Sequence, residues 1–215
     1  MLSRTADNLY WLGRYLQRAE NTARILNVQA LLLLDMPRNT EFGWGVLVDI
    51  LSAHKLYREH YQDFSEENVV RFLLLDPRNP GSIASSLAAA RNILRITRDR
   101  LPRELWERVN DLYLRLGESG ERALGRARRQ EFLTRVTDGA LLVYGMLVSN
   151  MSHDIGFSFL RLGTNIEQAD MTTRIIDVRS ADLIRPKTGE DLLPFQNIQW
   201  MGVLRSLSAQ QMYQR

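Results

Sequence analysis

From residue 4 to residue 34, Leu9, Leu12, Leu16, Ala19, Ala23, Leu26, Ala30 and Leu33 follow one another at alternating steps of three and four. That spacing gathers the apolar side chains on one face of a helix, and predicts an amphipathic core helix over 4–34 that packs in near-coiled-coil fashion. Ser3 is the expected N-cap. Asp35-Met36-Pro37 is the expected stop, because a residue before proline is driven out of the α region. A second helix is predicted over 40–61. A short one over 65–75 starts at Ser65-Glu66-Glu67, whose carboxylates suit the positive end of the helix dipole. Asp76-Pro77-Arg78-Asn79-Pro80-Gly81 then breaks the chain, with Asn79 as N-cap and Pro80 as first turn of a helix over 81–101. Further helices are predicted over 102–127, 129–151, 153–178 and 196–215. Residues 184–194, with Pro186, Gly189 and Pro194, form the one long non-helical connection. The expected fold is all-α, a bundle of about eight helices.

Composition adds limits to this picture. The chain has 215 residues, 45% hydrophobic and 25% charged, enough to bury a substantial core, and its 6 prolines leave long stretches free to be helical. It has no cysteine, which removes disulfides, cysteine-ligated metals and thiol catalysis and fits a cytoplasmic location. The N-terminus lacks the apolar run and cleavage site of a signal peptide. The most apolar stretches, 30–34 and 140–148, fall short of the roughly 18 residues of a membrane span, so no membrane insertion is expected.

The sequence also repeats itself. Leu12-Gly13-Arg14-Tyr15-Leu16-Gln17-Arg18-Ala19-Glu20-Asn21-Thr22-Ala23-Arg24 aligns without a gap on Leu162-Gly163-Thr164-Asn165-Ile166-Glu167-Gln168-Ala169-Asp170-Met171-Thr172-Thr173-Arg174, 150 residues later. Trp44, Leu51-Ser52-Ala53 and Tyr57 recur 156 residues later as Trp200, Leu207-Ser208-Ala209 and Tyr213. Two matches in the same order indicate a tandem duplication, with residues 1–150 as the first helical repeat and 151–215 as an incomplete second repeat packed on it. A repeat relies on its neighbours to bury its apolar face. The second copy is therefore expected to pack on the first or to leave a patch for a partner, including another copy of the chain in a homo-oligomer.

These two segments, with Phe72-Leu73-Leu74-Leu75-Asp76-Pro77, resemble the alpha-E family of bacterial α-helical proteins, named for a Glu-Arg motif. The resemblance covers essentially the whole chain, which looks C-terminally truncated against typical members. It implies association with circularly permuted ATP-grasp proteins and transglutaminase-like proteins, and in some bacteria with the proteasome-related peptidase Anbu. Where the family commonly has Glu-Arg, the first copy has Gln17-Arg18 and the second Glu167-Gln168. Each copy keeps one half.

The candidate chemistry lies along the same helices. Arg14, Arg18, Glu20 and Arg24 in the first copy, and Glu167, Asp170 and Arg174 in the second, flank the apolar stripes. Glu20–Arg24 and Asp170–Arg174 stand at the favourable i, i+4 spacing. They read either as a salt-bridged seam between helices or as a polar cleft that receives a peptide, amine or phosphate group. Asn79, Gly81 and Ser82 offer a weaker anion site at a helix start. His54, His60 and His153 do not form the Glu-x-x-His pattern of di-iron bundles, so no metal is expected, and no cofactor fingerprint is present. Arg122, Arg126, Arg128, Arg129 and Arg135 make a basic run without interleaved aromatics. It is read as a solvated helix face, with nucleic acid disfavoured as a partner. The function that follows is an accessory module binding a partner enzyme of an ATP-dependent peptide or amide ligation system. The alternative is an enzyme acting on amide bonds through a carboxylate–arginine cleft, and the weakest reading is Arg-mediated nucleic-acid binding.

Overall fold

The computed structural model describes residues 3–35, 43–184 and 193–215. Among them it contains helices and no strands: α1 (Ser3–Asp35), α2 (Gly45–Ile50), α3 (His54–His60), α4 (Glu66–Leu74), α5 (Ile83–Ile96), α6 (Arg103–Ala123), α7 (Arg126–Asn150), α8 (Ile155–Ile184), α9 (Leu193–Ser206) and α10 (Gln210–Tyr213). The protein is an all-α bundle organised around α1.

The stripe read from the sequence is the core face of α1. Leu9, Leu12 and Leu16 are buried with Ala90 and Leu94 of α5, Leu105 and Val109 of α6, and Val143 and Leu147 of α7. Further along, Ala19, Ala23 and Leu26 are buried with Ile83 and Leu87 of α5 and with Leu133 and Val136 of α7. Numbers on α5 and α7 fall as those on α1 rise, so both run antiparallel to α1. With α6 packed on both, they form an up-and-down four-helix bundle. Fully buried leucines such as Leu12 and Leu26 each contribute roughly 2 kcal/mol. Helices α2 to α4 close one end around Tyr57, which stacks on Tyr61 and Phe64 and meets the edge of Phe72.

Helix α8 lies against α1 in the same direction, since Glu167 meets Arg14 and Arg18 while Arg179 meets Gln29 further on. Glycine makes this crossing close. A Cβ on Gly13 would press into the carbonyl oxygen of Leu160 and stand 2.9 Å from the amide nitrogen of Thr164. One on Gly163 would press into the carbonyl of Tyr10 and stand 3.3 Å from the amide nitrogen of Arg14. Leu160 and Thr164 are 150 positions after Tyr10 and Arg14, so the contact is reciprocal about a local two-fold. The outer face of α8 differs from its α1 counterpart. Where Leu9, Leu12, Leu16 and Leu26 are buried, Phe159, Leu162, Ile166 and Ile176 are exposed.

Several boundaries correct the sequence reading. The single helix expected over 40–61 is two, because Ser52 adopts a left-handed conformation (φ 51°). Its N–H bonds back to Asp49, and that of Ala53 to the carbonyl of Val48 at 3.0 Å, which closes a Schellman-type end. The helix expected over 196–215 breaks in the same way. Ser208 has φ 57°, its N–H bonds to Arg205, and that of Ala209 bonds to the carbonyl of Leu204 at 2.8 Å. Helix α5 starts two residues later than expected and is capped by Ser82, whose hydroxyl accepts the N–H of Ser85. Asn79 instead ties the turn down, donating to the carbonyl of Phe72 and accepting from the N–H of Gly81. The same helix ends at Ile96, not Leu101, where the Thr97 hydroxyl donates to the carbonyl of Ile93. Met36, Pro37 and residues 185–192 of the expected connection lie outside the described residues.

Helix α7 bears on the expectation of no membrane insertion. By length and composition alone it could cross a membrane, because its small and apolar residues raise the average without making an unbroken apolar run. In the bundle its Phe132, Leu133, Val136, Val143 and Leu147 are buried against the core.

Candidate functional site

The polar residues read from the sequence fall into three groups, set by which side of the α1–α8 seam each faces. On one side, Glu167 is buried (3% exposed) between two arginines of α1. Arg14 donates its Nε–H to one carboxylate oxygen, while Arg18 donates to both, at 2.6 and 2.9 Å. Arg14 also donates to the Tyr10 hydroxyl at 2.9 Å, and the Arg18 guanidinium lies 5.5 Å from the centre of the Tyr15 ring. Two forked donors around one carboxylate satisfy a buried charge that would otherwise be costly. This is a structural clamp that engages both carboxylate oxygens.

The clamp explains the divided Glu-Arg motif. Arg18 of the first segment pairs with Glu167 of the second, and at the positions related by the local two-fold Gln17 donates to Gln168 at 2.8 Å. One crossing is ionic and its mirror is an amide pair. The halves of the motif therefore meet across the seam.

On the other side lies a cleft of about 280 Å³, with α1 as floor and α7 and α8 as walls. Its polar lining is Gln17, Glu20, Arg24, Thr164, Asn165, Gln168 and Ser208, and its apolar wall includes Leu141, Tyr144 and Leu147. Glu20 is buried and ion-paired to Arg24, and it accepts from Gln17 at 2.9 Å. Burial pushes its carboxyl above the ordinary range, against the opposing pull of Arg24 and Gln17. A buried carboxyl and a guanidinium beside an apolar wall suit a ligand with a polar group and a hydrophobic side. Asn165, Gln168 and Ser208 were not among the candidate site residues read from the sequence. The signal for the first two was their place in the aligned segments, 150 residues after Tyr15 and Arg18.

The third group is Asp170 and Arg174, which pair with each other at 2.9 Å, both more than a third exposed. They line neither the clamp nor the cleft. The alternative in which Glu20, Arg24, Glu167, Asp170 and Arg174 share one cleft is thus corrected, since Glu167 is held by Arg14 and Arg18 on the other side of the seam and Asp170 and Arg174 pair with each other.

At the start of α5, the N–H of Gly81 is taken by Asn79 and that of Ser85 by Ser82, so these donors of the candidate anion site are already occupied by protein acceptors. The adjoining Asp76 is the most strongly held acid of this turn. It accepts from Arg78 at 2.6 and 2.9 Å and from the Tyr61 hydroxyl at 2.7 Å. These bonds, led by Arg78, hold its carboxyl down at about 2 against the opposite effect of burial. The basic run is likewise engaged. Arg126 and Arg129 both bond Glu66 of α4, Arg128 and Arg135 pair with Glu131, and Arg122 donates to the carbonyl of Glu118. Among the described residues no cluster of histidine, aspartate or glutamate could hold a metal ion.

A model of the Alpha-E family, described as a predicted alpha-helical domain with a conserved ER motif, matches residues 1–215. Similar curated proteins are all uncharacterised. One from Mycobacterium bovis and one from Mycobacterium tuberculosis strain CDC 1551 are each 22% identical over 208 residues, and another from Mycobacterium tuberculosis strain H37Rv is 21% identical. Each match covers 88% of this chain and 24% of the relative, so the chain spans about a quarter of the length of these relatives. No solved structure matches the chain.

Proposed function

The chain belongs to the Alpha-E family, and from that premise we propose that it is a cytosolic accessory module of an ATP-grasp-linked peptide or amide modification system, acting mainly by binding a partner enzyme. The observation that carries this reading is the outer face of α8. Phe159, Leu162, Ile166 and Ile176 are exposed at the positions whose counterparts on α1 are core. A contiguous apolar face on a long, otherwise well-packed helix marks an interaction surface. The assignment of partner, a circularly permuted ATP-grasp protein acting with a transglutaminase-like protein, rests on family resemblance. The matching left-handed serines at 52 and 208 and the reciprocal glycine crossing support the reading of 1–150 and 151–215 as two copies of one unit.

Co-purification of the chain with a circularly permuted ATP-grasp protein of the same organism tests the proposal. A stable complex at micromolar concentration is the expected result, and its absence counts against the reading.

A second reading, an enzyme acting on amide bonds, retains one observation in its favour: the raised carboxyl of Glu20 at the floor of the cleft. It is now confined to Glu20 and Arg24. A reaction of this kind would be abolished by Glu20→Gln, with the complex left intact.

A further inference from the structure

We infer that the cleft between α1, α7 and α8 is a binding site for a neutral amide carried on an apolar group of about leucine size, such as one residue of a peptide. This goes beyond the partner-binding reading and is independent of it. It names a ligand class for the cleft to which the amide-bond reading is confined, whether or not a reaction follows.

Hydrogen-bond arithmetic at the floor of the cleft asks for a donor. The Gln17 amide nitrogen carries two hydrogens and stands within bonding distance of three oxygens, at 2.9 Å from Glu20, 3.0 Å from Asn21 and 2.8 Å from Gln168. One oxygen is left short. Turning the three amides end for end moves the shortfall without removing it, since Asn21 and Gln168 then donate to Gln17 and the Glu20 carboxylate faces an oxygen. Glu20 and Asn21 are buried, whereas Gln168 is half-buried in the cleft wall. The oxygen of Gln168 is therefore the one that a ligand N–H can reach.

The same wall offers donors in return. Among the described residues the Nδ2 of Asn165 and the Nε2 of Gln168 have no acceptor, and both residues line the cleft. A group that donates through N–H and accepts through C=O meets both needs, and that group is an amide. Charge selects in the same direction. Glu20 and Arg24, the two charged residues of the lining, neutralise each other, and burial already pushes the Glu20 carboxyl up, so a further charge would enter without a counter-ion. The apolar remainder, Leu16, Leu141, Val143, Tyr144 and Leu147, receives the hydrocarbon of the ligand. A volume of about 280 Å³ admits one side chain with its adjoining peptide group.

N-acetyl-leucinamide is the probe, titrated into the isotope-labelled full chain at neutral pH, with the side-chain amide NMR signals of Gln17, Asn165 and Gln168 as the readout. Expected are saturable shifts of these signals with a Kd below about 10 mM. Binding should weaken at least about fivefold with Gln168→Met, vanish with Ala140→Phe, which fills the cleft, and stay unchanged with Leu114→Glu on the exposed face of α6. N-acetyl-leucine, a carboxylate, and isopentylamine, an ammonium, should each bind at least about tenfold more weakly. No saturable shift up to about 50 mM probe, shifts indifferent to Gln168→Met and Ala140→Phe, or tighter binding of either charged analogue overturns the inference. Each of these leaves the partner-binding reading, which co-purification tests, standing. Binding without hydrolysis of the probe supports the inference and removes this amide as a substrate of the enzyme reading. Hydrolysis to N-acetyl-leucine and ammonia that is lost in Glu20→Gln supports both.

Discussion

Gly13 and Gly163 each lie on the backbone of the opposite helix, Gly13 against Leu160 and Thr164, Gly163 against Tyr10 and Arg14. A methyl group at either position has nowhere to go, because what it meets is main chain. Gly13→Ala and Gly163→Ala are each expected to cost roughly 3 kcal/mol. The double variant should cost clearly less than the sum, because the first methyl already forces the helices apart. Urea denaturation of the three variants measures both.

The clamp on Glu167 gives a second expectation. Glu167→Ala leaves Arg14 and Arg18 facing each other without their shared acceptor, and should destabilise by roughly 3 kcal/mol. The mirror crossing can be made ionic by Gln17→Glu with Gln168→Arg. Gln17→Glu alone sets a carboxylate beside Glu20 and destabilises. The pair should show a favourable coupling on the order of 1–3 kcal/mol in a double-mutant cycle.

Asp76 predicts an acid transition. Its carboxyl is depressed in the folded state to about 2, so the stability it contributes is fully present above the ordinary carboxylate range and is lost as pH falls toward 2. Asp76→Asn should lower the melting temperature at neutral pH and flatten the loss between about pH 4 and pH 2. Thermal melts at stepped pH read both effects.

Glu20 has the opposite sign. Burial raises its carboxyl in the folded state, so its ionisation weakens the fold as pH rises through its titration. Glu20→Gln should remove that part of the slope between acid and neutral pH. Unchanged slope in urea melts would show that Arg24 compensates the buried charge fully.

Ser52 and Ser208 hold a left-handed backbone that glycine adopts without penalty. Ser52→Gly should gain about 1 kcal/mol, while Ser52→Val should lose more than that. Ser208→Gly should gain less in global unfolding. The helix after it, α10, has no buried residue, so it opens locally before the core does.

These contrasts show what was readable in the chain. The stripe from Leu9 to Leu26 announced α1 and its buried face because periodicity is a local property. The breaks at Ser52 and Ser208 were hidden because serine, unlike glycine or proline, gives no conformational warning. The repeated Leu-Ser-Ala triplets flanking them were the available clue. Ser82 displaced Asn79 as cap because Asn79 was drawn into a contact with Phe72, across the turn, that sequence spacing does not reveal. Of the seven polar candidates on α1 and α8, the pairs within one helix, Glu20–Arg24 and Asp170–Arg174, were legible from their spacing, and the grouping across the seam was not. That Arg14 and Arg18 meet Glu167 depends on the parallel register of two helices 150 positions apart, which the close packing at Gly13 and Gly163 accompanies. The pairing of Gln29 with Arg179, also 150 apart, follows the same register.

The two-fold crossing of α1 and α8 has the form of an isologous dimer interface folded into a single polypeptide. Between two separate identical chains, a substitution at the position of Gln17 would appear twice, and both crossings would change together. Within one chain the halves are encoded separately. The seam can therefore keep Arg18 and Glu167 charged on one side of the axis while Gln17 and Gln168 are neutral on the other, and asymmetry of function can be introduced one residue at a time.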